Sequence, residues 1–159
     1  MNIAIYRRPK TISLKKIKEA LWFYAESLMH KRLCDKLWIR VVFVKNMIEK
    51  QGLEASCIWE DDNVRPREFS IHLDSGLSED EILACLAHEM VHVKQWAKME
   101  MRQFMRKSDV HWMGKPVDES IVSYYDLPWE QEAWRLEEDL SKAFKEKHNE
   151  ENKEKEPSS

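Results

Sequence analysis

The stretch SEDEILACLAHEMVH, residues 78–92, predicts structure more clearly than any other part of the sequence. Ser78 and Glu81 have the spacing of a capping box, in which the serine accepts a backbone N–H bond and the glutamate reaches back. The residues that follow are apolar at helical spacing: Ile82, Leu83, Leu86, Ala87, Met90 and Val91. No Pro or Gly occurs between Ser78 and Gly114, so the sequence predicts one helix that continues toward Met105.

The flanking segments predict a small sheet and two further helices. We expect a helix over 14–33, strands over 37–44, 53–60 and 69–73, a loop over 108–128 and a helix over 129–144. The first ten residues read as an arm or a short edge strand. From Lys145 onward four Lys and five Glu stand without any hydrophobic residue, which is typical of a disordered tail. The sequence thus predicts one α+β domain over 1–144, with a small antiparallel or mixed sheet packed on helices, and a disordered charged tail over 145–159.

Composition and charge exclude several classes of protein. The chain has 159 residues and a formal charge of 26 − 29 = −3, which argues against a generally basic nucleic-acid binder. No apolar run approaches the roughly 18 residues of a membrane span, so we expect no membrane partner. The N-terminus lacks a secretory signal, and three cysteines do not form a disulfide framework. A cytoplasmic protein is therefore expected.

The predicted helix carries the motif His88-Glu89-Met90-Val91-His92, an HExxH sequence. Residues four apart lie on one face of a helix, so both imidazoles can point at one metal ion. Zinc binds such nitrogens readily, and Glu89 beside them can take a proton from water. Two histidines buried in an apolar helix otherwise need some other partner, so the motif favours a metal site.

The third ligand must come from another part of the chain. Glu130 and Glu132 follow Pro128, which suits the first turn of a helix. They project about 200° apart on that helix, so only one of them can face the ion. His111, in the predicted loop, is the other candidate. The residue types do not decide which of the three is the third ligand.

The sequence after HExxH is similar to a known class of metallopeptidase. Glu130-Gln131-Glu132-Ala133 resembles the Glu-x-x-Ala element of the gluzincin branch of zinc metallopeptidases. A wider pattern consists of His92-x-x-Gln95, Trp112-x-Gly114-Lys115 and Tyr125-x-x-Pro128-Trp129. It resembles small metallopeptidases encoded by tailed phages that are similar to the minigluzincins. The resemblance covers about residues 69–138, and Trp134 departs from it because many gluzincins carry an orienting Asp or Asn there.

The resemblance implies a zincin-like fold and a zinc-dependent endopeptidase. It assigns His88, His92 and Glu130 as ligands of one Zn²⁺ and Glu89 as the base. It also implies that a peptide or protein substrate lies extended along a strand edge beside the helix. The matching segment is residues 67–74, with Phe69, Ser70, Ile71 and His72 at its centre. Tyr124 or Tyr125 would place a hydroxyl near the scissile carbonyl, as in some zinc peptidases.

Two other functions fit the same motif. SprT-like proteases, which act on DNA-associated proteins, also carry HExxH but use a third histidine, a part that His111 could play. Lys94, Lys98, Arg102 and Arg106 form a basic stripe that would suit them, but position 94 is about 200° around the helix from His92. We therefore expect a solvated face and no nucleic-acid partner. A zincin-like domain that binds or assembles without turnover is the other alternative, and the presence of Glu89 favours the enzyme.

Overall fold

The chain folds into a mixed four-stranded sheet, a small three-stranded sheet and three main helices, so the predicted α+β class is confirmed. The computed structural model describes residues 1–61, 63–104 and 107–155. The elements are β1 (Asn2–Tyr6), α1 (Leu14–Leu28), α2 (Lys31–Cys34), β2 (Trp38–Val44), α3 (Met47–Gln51), β3 (Ala55–Trp59), β4 (Glu68–Asp74), α4 (Glu79–Ala97), β5 (Met101–Phe104), β6 (Lys107–Trp112), β7 (Lys115–Val117), a 3₁₀ turn (Tyr124–Asp126) and α5 (Pro128–Lys155).

The larger sheet has the strand order β1-β2-β4-β3. β1, β2 and β4 are parallel, whereas β3 runs antiparallel to β4. A parallel pair needs a crossover connection, and α1 with α2 provides it between β1 and β2. The N-terminal residues, expected to be an arm or a short edge strand, form the edge strand β1.

β4 lies inside the sheet, which corrects one prediction. Residues 67–74 were expected to offer a free edge to an extended peptide through Phe69, Ser70, Ile71 and His72. Instead β4 pairs with β2 on one side and with β3 on the other, so its backbone groups are already used. The strand order is set by tertiary packing, and the free edge on this side of the sheet belongs to β3.

The main core lies where α1 and α4 pack against the sheet. Tyr24 of α1 is fully buried, and its hydroxyl donates a hydrogen bond to the Leu83 carbonyl of α4 at 3.1 Å. Phe144 of α5 packs on the same aromatic group, with its ring centroid 5.9 Å from that of Tyr24. All three main helices therefore share one buried cluster.

The helix that carries HExxH begins as predicted and ends earlier. Ser78 and Glu81 form both hydrogen bonds of the capping box. α4 stops at Ala97, about two turns before the predicted end near Met105, because Met99 adopts a left-handed conformation with φ 60°. Met101 then starts β5 and is buried in a second apolar cluster, which includes Trp129. Residue 105 lies outside the described residues.

The predicted loop over 108–128 contains a β-hairpin. β6 pairs antiparallel with both β5 and β7. Met113 and Gly114 join β6 to β7 with φ values of 48° and 81°, as a two-residue type I′ turn requires. Met is an uncommon residue for such a turn, so the sequence signal was weak.

The two terminal helices also differ from their predicted bounds. The first predicted helix divides into α1 and α2, since Met29 is extended and the His30 side chain caps a new turn. α5 continues to Lys155, so the predicted disorder from residue 145 is wrong as far as Lys155, and residues 156–159 lie outside the description. Lys and Glu are good helix formers and no Pro or Gly interrupts them. Among the described residues, no helix combines the length and apolar character that crossing a membrane requires.

Candidate metal centre

α4 and α5 bring two imidazoles and one carboxylate to a common point. His88 and His92 lie one turn apart on α4, and Glu130 lies in the first turn of α5 after Pro128. The Nε2 atoms of the two histidines are 3.1 Å apart. Glu130 places Oε2 3.2 Å from Nε2 of His88 and Oε1 3.5 Å from Nε2 of His92. We call these three side chains the metal group; they are the ones that the sequence and the resemblance brought together.

These separations fit one small cation. Ligand atoms held about 2.0–2.1 Å from a tetrahedral zinc ion lie about 3.3–3.4 Å from one another. The observed separations of 3.1, 3.2 and 3.5 Å bracket that value. The three side chains are between 8% and 13% exposed, which shields the group from bulk water.

The hydrogen bonds on the far side of each imidazole fix its tautomer. Nδ1 of His88 donates to the Glu137 carboxylate at 2.6 Å, and Nδ1 of His92 donates to the Gln95 side-chain oxygen at 2.8 Å. In the neutral rings both Nε2 atoms then carry lone pairs, and these converge with the Glu130 carboxylate. Three electron-rich atoms at such distances repel one another unless a cation lies between them.

In the metal-free protein, protons supply that positive charge. Burial opposes the charged form of His88, but hydrogen bonds to Glu130 and Glu137 raise its pKa to about 10. Burial likewise opposes a charge on His92, and Glu130 and Glu89 nevertheless raise its pKa. Burial of Glu130 favours its neutral form, yet both histidines hold its pKa down at about 2. The site therefore attracts cations strongly.

Glu89 lies beside this group and is free to act as a base. Its side chain is buried, with the whole residue 5% exposed. Burial raises the pKa of its carboxyl, while the neighbouring His92 and His88 lower it. Among the described residues no group hydrogen-bonds this carboxylate, in contrast to Glu130 and Glu132. A buried carboxylate of raised pKa is well suited to take up a proton.

Glu137 is a residue of the candidate site that the sequence analysis missed. It lies seven residues after Glu130 on α5, two turns along the same face, and reaches Nδ1 of His88. Trp134, which stands where many gluzincins carry an orienting Asp or Asn, packs its ring 6.4 Å from His88 instead. The i, i+7 spacing of two acids on one helix was the signal that could have revealed this contact.

Gln95 orients the second histidine and was quoted only as part of the wider pattern. It is fully buried and its Oε1 accepts from His92. Its Nε2 donates to the Trp129 carbonyl and to Glu132, each at 2.9 Å. These bonds fix which side-chain atom is oxygen, and so they fix the tautomer of His92.

Glu132, the first alternative ligand, lies away from the metal group. Its carboxylate accepts from Lys94 at 2.7 Å and from Gln95 at 2.9 Å. Lys94 also lies 2.8 Å from Glu100 and is only 7% exposed. The prediction of a solvated face is therefore wrong for Lys94, because this side chain joins α4 to α5.

His111, the second alternative ligand, also lies elsewhere. It is on β6 opposite Arg102, and its ring centroid is 4.9 Å from that of Phe104. The group of possible metal ligands does not include it. Lys98 and Arg102 of the basic stripe are exposed, and Arg106 lies outside the described residues.

Tyr124 and Tyr125 form an aromatic wall next to α5. Tyr125 stacks on Trp134 with centroids 5.6 Å apart, and Tyr124 meets the same ring edge-on at 5.8 Å. Burial, followed by the Glu130 charge and a hydrogen bond to Glu130, raises the pKa of Tyr124. Of the two tyrosines, Tyr124 is therefore the one whose phenol is influenced by the Glu130 carboxylate.

The free edge strand β3 lies on the other side of Glu89. Burial, together with the negative charge of Glu89, raises the pKa of Cys57 at the middle of β3. α4 also packs directly on this strand. An unpaired strand edge, a buried base and a cation-attracting group are thus neighbours.

In comparisons with protein-family models, with curated proteins and with solved structures, nothing matches this chain. The geometry of the site and the sequence motif are accordingly the grounds on which a function can be proposed.

Proposed function

We propose that this chain is a zinc-dependent endopeptidase of gluzincin type with a zincin-like fold. The convergence of His88, His92 and Glu130 beside the buried, unpaired Glu89 carries the proposal. Structural zinc sites are closed by four protein ligands, whereas catalytic sites have three and leave a position open. Three protein ligands and a free base nearby match the catalytic type.

The donor set favours zinc among the common metals. Two imidazole nitrogens and one carboxylate suit Zn²⁺, whereas Mg²⁺ and Ca²⁺ prefer oxygen ligands throughout. When bound, Zn²⁺ would polarise the substrate carbonyl and lower the pKa of water. Elemental analysis after zinc reconstitution should give about one zinc per chain, and the double variant His88→Ala/His92→Ala should retain almost none.

The protein's own residues would perform the remaining steps. Glu89 accepts the proton of the attacking water and can pass it to the leaving amine. Glu137 and Gln95 keep both imidazoles in one tautomer and orientation. Tyr124, whose raised pKa keeps its phenol protonated, can donate a hydrogen bond to the carbonyl oxygen as negative charge develops there.

The edge strand β3 is the surface on which a substrate would bind. A peptide that pairs with Ala55–Trp59 would extend the sheet by one strand, with main-chain bonds supplying affinity. The packing of β3 on α4 would hold that peptide close to Glu89. This assignment replaces β4, whose two edges are already paired.

The decisive experiment compares the wild type with Glu89→Gln. The substitution keeps size and hydrogen bonding but removes the base, so cleavage of an unfolded protein such as casein should fall by about 10²-fold or more. Zinc stoichiometry should remain near one, because Glu89 is not a ligand. Glu138→Gln, an exposed glutamate on α5, is the matched control and should cleave at the wild-type rate.

Three results would contradict the proposal. Equal cleavage by wild type and Glu89→Gln would exclude the assigned base. Zinc binding without cleavage of any peptide would favour the zincin-like binding domain. A metal site that survives Glu130→Ala but is lost in His111→Ala would favour the SprT-like alternative.

A further inference from the structure

A second pocket, remote from the metal group, collects positive charge. It has a volume of about 480 Å³ and lies at the C-terminal end of α4. Leu33, Ala97 and Met99 are among its lining residues. Its cationic side chains are Arg32, Lys36, Arg65, Arg67, Lys98 and Arg102, and none of the residues that line it within the described part of the chain is acidic.

These cations come from four separate parts of the chain. Arg32 lies in α2 and Lys36 just after it, Arg65 and Arg67 belong to the turn before β4, Lys98 to the end of α4 and Arg102 to β5. Folding therefore assembles the pocket, and a net charge of −3 for the whole chain gives no sign of it. The expectation of no nucleic-acid partner rested on that net charge and on the direction of the basic stripe relative to His92.

Contacts within the described part of the protein stabilise only two of these six cations. Arg67 donates to the Ala97 carbonyl at 2.9 Å and to the Pro66 carbonyl at 2.7 Å, which fixes its guanidinium in the wall. Lys98 pairs with Glu100 at 3.2 Å. Within the described part of the chain no carboxylate reaches ion-pair distance of Arg32, Lys36, Arg65 or Arg102. Their mutual repulsion is unfavourable for folding, and an anion would relieve it.

The residue types indicate which anion fits. Four of the six cations are arginines, whose planar guanidinium binds phosphate oxygens through paired hydrogen bonds. The pocket volume is in the range of small-ligand sites and exceeds what one phosphate needs. Several phosphates in a row would spread their charge over all six side chains, whereas one carboxylate offers a single charge.

We propose that this pocket binds a run of linked phosphate groups, either a free polyphosphate or the backbone of single-stranded nucleic acid. The two sources share one chemistry, and the pocket is independent of the peptidase proposed above. No residue of the metal group lines it, so binding there does not require metal.

The test measures binding of tripolyphosphate and of a labelled single-stranded oligonucleotide to the full-length protein. The variant Arg32→Ala/Arg102→Ala should weaken both by about 10-fold or more, since it removes two charge-assisted contacts to phosphate. Arg32→Lys/Arg102→Lys keeps the charge but loses the planar fork, so it should bind with intermediate affinity. Lys15→Ala/Lys142→Ala removes the same charge from exposed positions on α1 and α5 and should bind within about 2-fold of wild type.

Thermal unfolding supplies a second readout. Without ligand, Arg32→Ala/Arg102→Ala should be at least as stable as wild type, because like charges have been removed. Tripolyphosphate should raise the melting temperature of the wild type and leave that of the variant almost unchanged. A variant that melts early would be replaced by Lys36→Ala/Arg65→Ala, whose side chains are also exposed.

The relative affinities of the two probes distinguish the two sources of phosphate. Tight oligonucleotide binding with weak tripolyphosphate binding assigns the pocket to nucleic acid, and comparable binding assigns it to free polyphosphate. The proposal is overturned if neither probe binds, if Lys15→Ala/Lys142→Ala weakens binding as much as the pocket variant does, or if a glutamate-rich peptide binds more tightly than both phosphate probes.

Discussion

Glu137 is a side chain outside the HExxH motif that orients one of the proposed metal ligands, His88. Its carboxylate accepts from Nδ1 of His88 at 2.6 Å and keeps Nε2 directed at Glu130 and His92. Glu137→Ala should lower zinc affinity by about 10–100-fold, the usual cost of losing such a partner. Competition against a chelator would measure this.

Two variants separate orientation from charge in that experiment. Glu137→Gln retains an oxygen acceptor for His88 without the negative charge, so it should recover much of the affinity. Glu138→Gln changes the charge of α5 equally at an exposed site and should leave affinity unchanged. Equal losses in Glu137→Ala and Glu138→Gln would show that overall charge, not orientation, matters.

The difference between the predicted and the missed site residues has a physical reason. His88, Glu89 and His92 depend only on helix periodicity, which is local in sequence. Glu130 could be separated from Glu132 by their opposed directions on one helix together with the resemblance. Glu137 and Gln95 depend on how α4 and α5 cross, and neither helix alone contains that information.

The same reasoning applies to the elements. The capped start of α4 and the β-branched run of β2 were predictable because propensity and pattern agree there. The position of β4 inside the sheet depends on which strands it joins, and alternation of side chains does not encode this. The hairpin of β6 and β7 escaped prediction because its turn uses Met113 with Gly114.

Lys94 connects the two helices that supply the proposed metal ligands. It is 7% exposed and lies within 2.8 Å of both Glu132 and Glu100. Lys94→Met should destabilise the protein by about 1–3 kcal/mol, because the half-buried Glu132 loses its cation and Glu100 retains only the exposed Lys98. Urea denaturation of the metal-free protein would measure the loss.

Lys98→Met is the matched control for that experiment. Lys98 lies one turn later on the same helix and also contacts Glu100, but its side chain is 42% exposed. A surface ion pair is worth about 0–1 kcal/mol, so the control should lose no more than that. Similar losses in both variants would mean that the pair through Lys94 does not join α4 to α5.

At the scale of the whole molecule, charge and apolar surface are distributed unevenly. The basic pocket and the metal group lie at different positions along α4, one at its end and one in its middle. α5 contributes Glu130 and Phe144 to buried clusters and then continues as a charged, solvent-exposed helix. The last part of α5 thus has little tertiary support.

The final turns of α5 should be dispensable for stability, although they are helical. Residues 149–155 are all exposed, and the last tertiary contacts of α5 come from Lys147, which lies over the Phe23 ring, and from His148, which lies 3.6 Å from Glu19. An isolated helix end of this length is marginal in water. A chain that ends at His148 should therefore have a free energy of unfolding within about 0.5 kcal/mol of that of the full chain.

Phe144→Ala, which empties a position in the main core, should lower the free energy of unfolding by about 3–5 kcal/mol. Urea denaturation of the three proteins would measure both effects, and hydrogen exchange should be fast over 149–155 and slow near Phe144. If ending the chain at His148 cost as much as Phe144→Ala, the exposed turns would be supporting the core, contrary to the contacts described here.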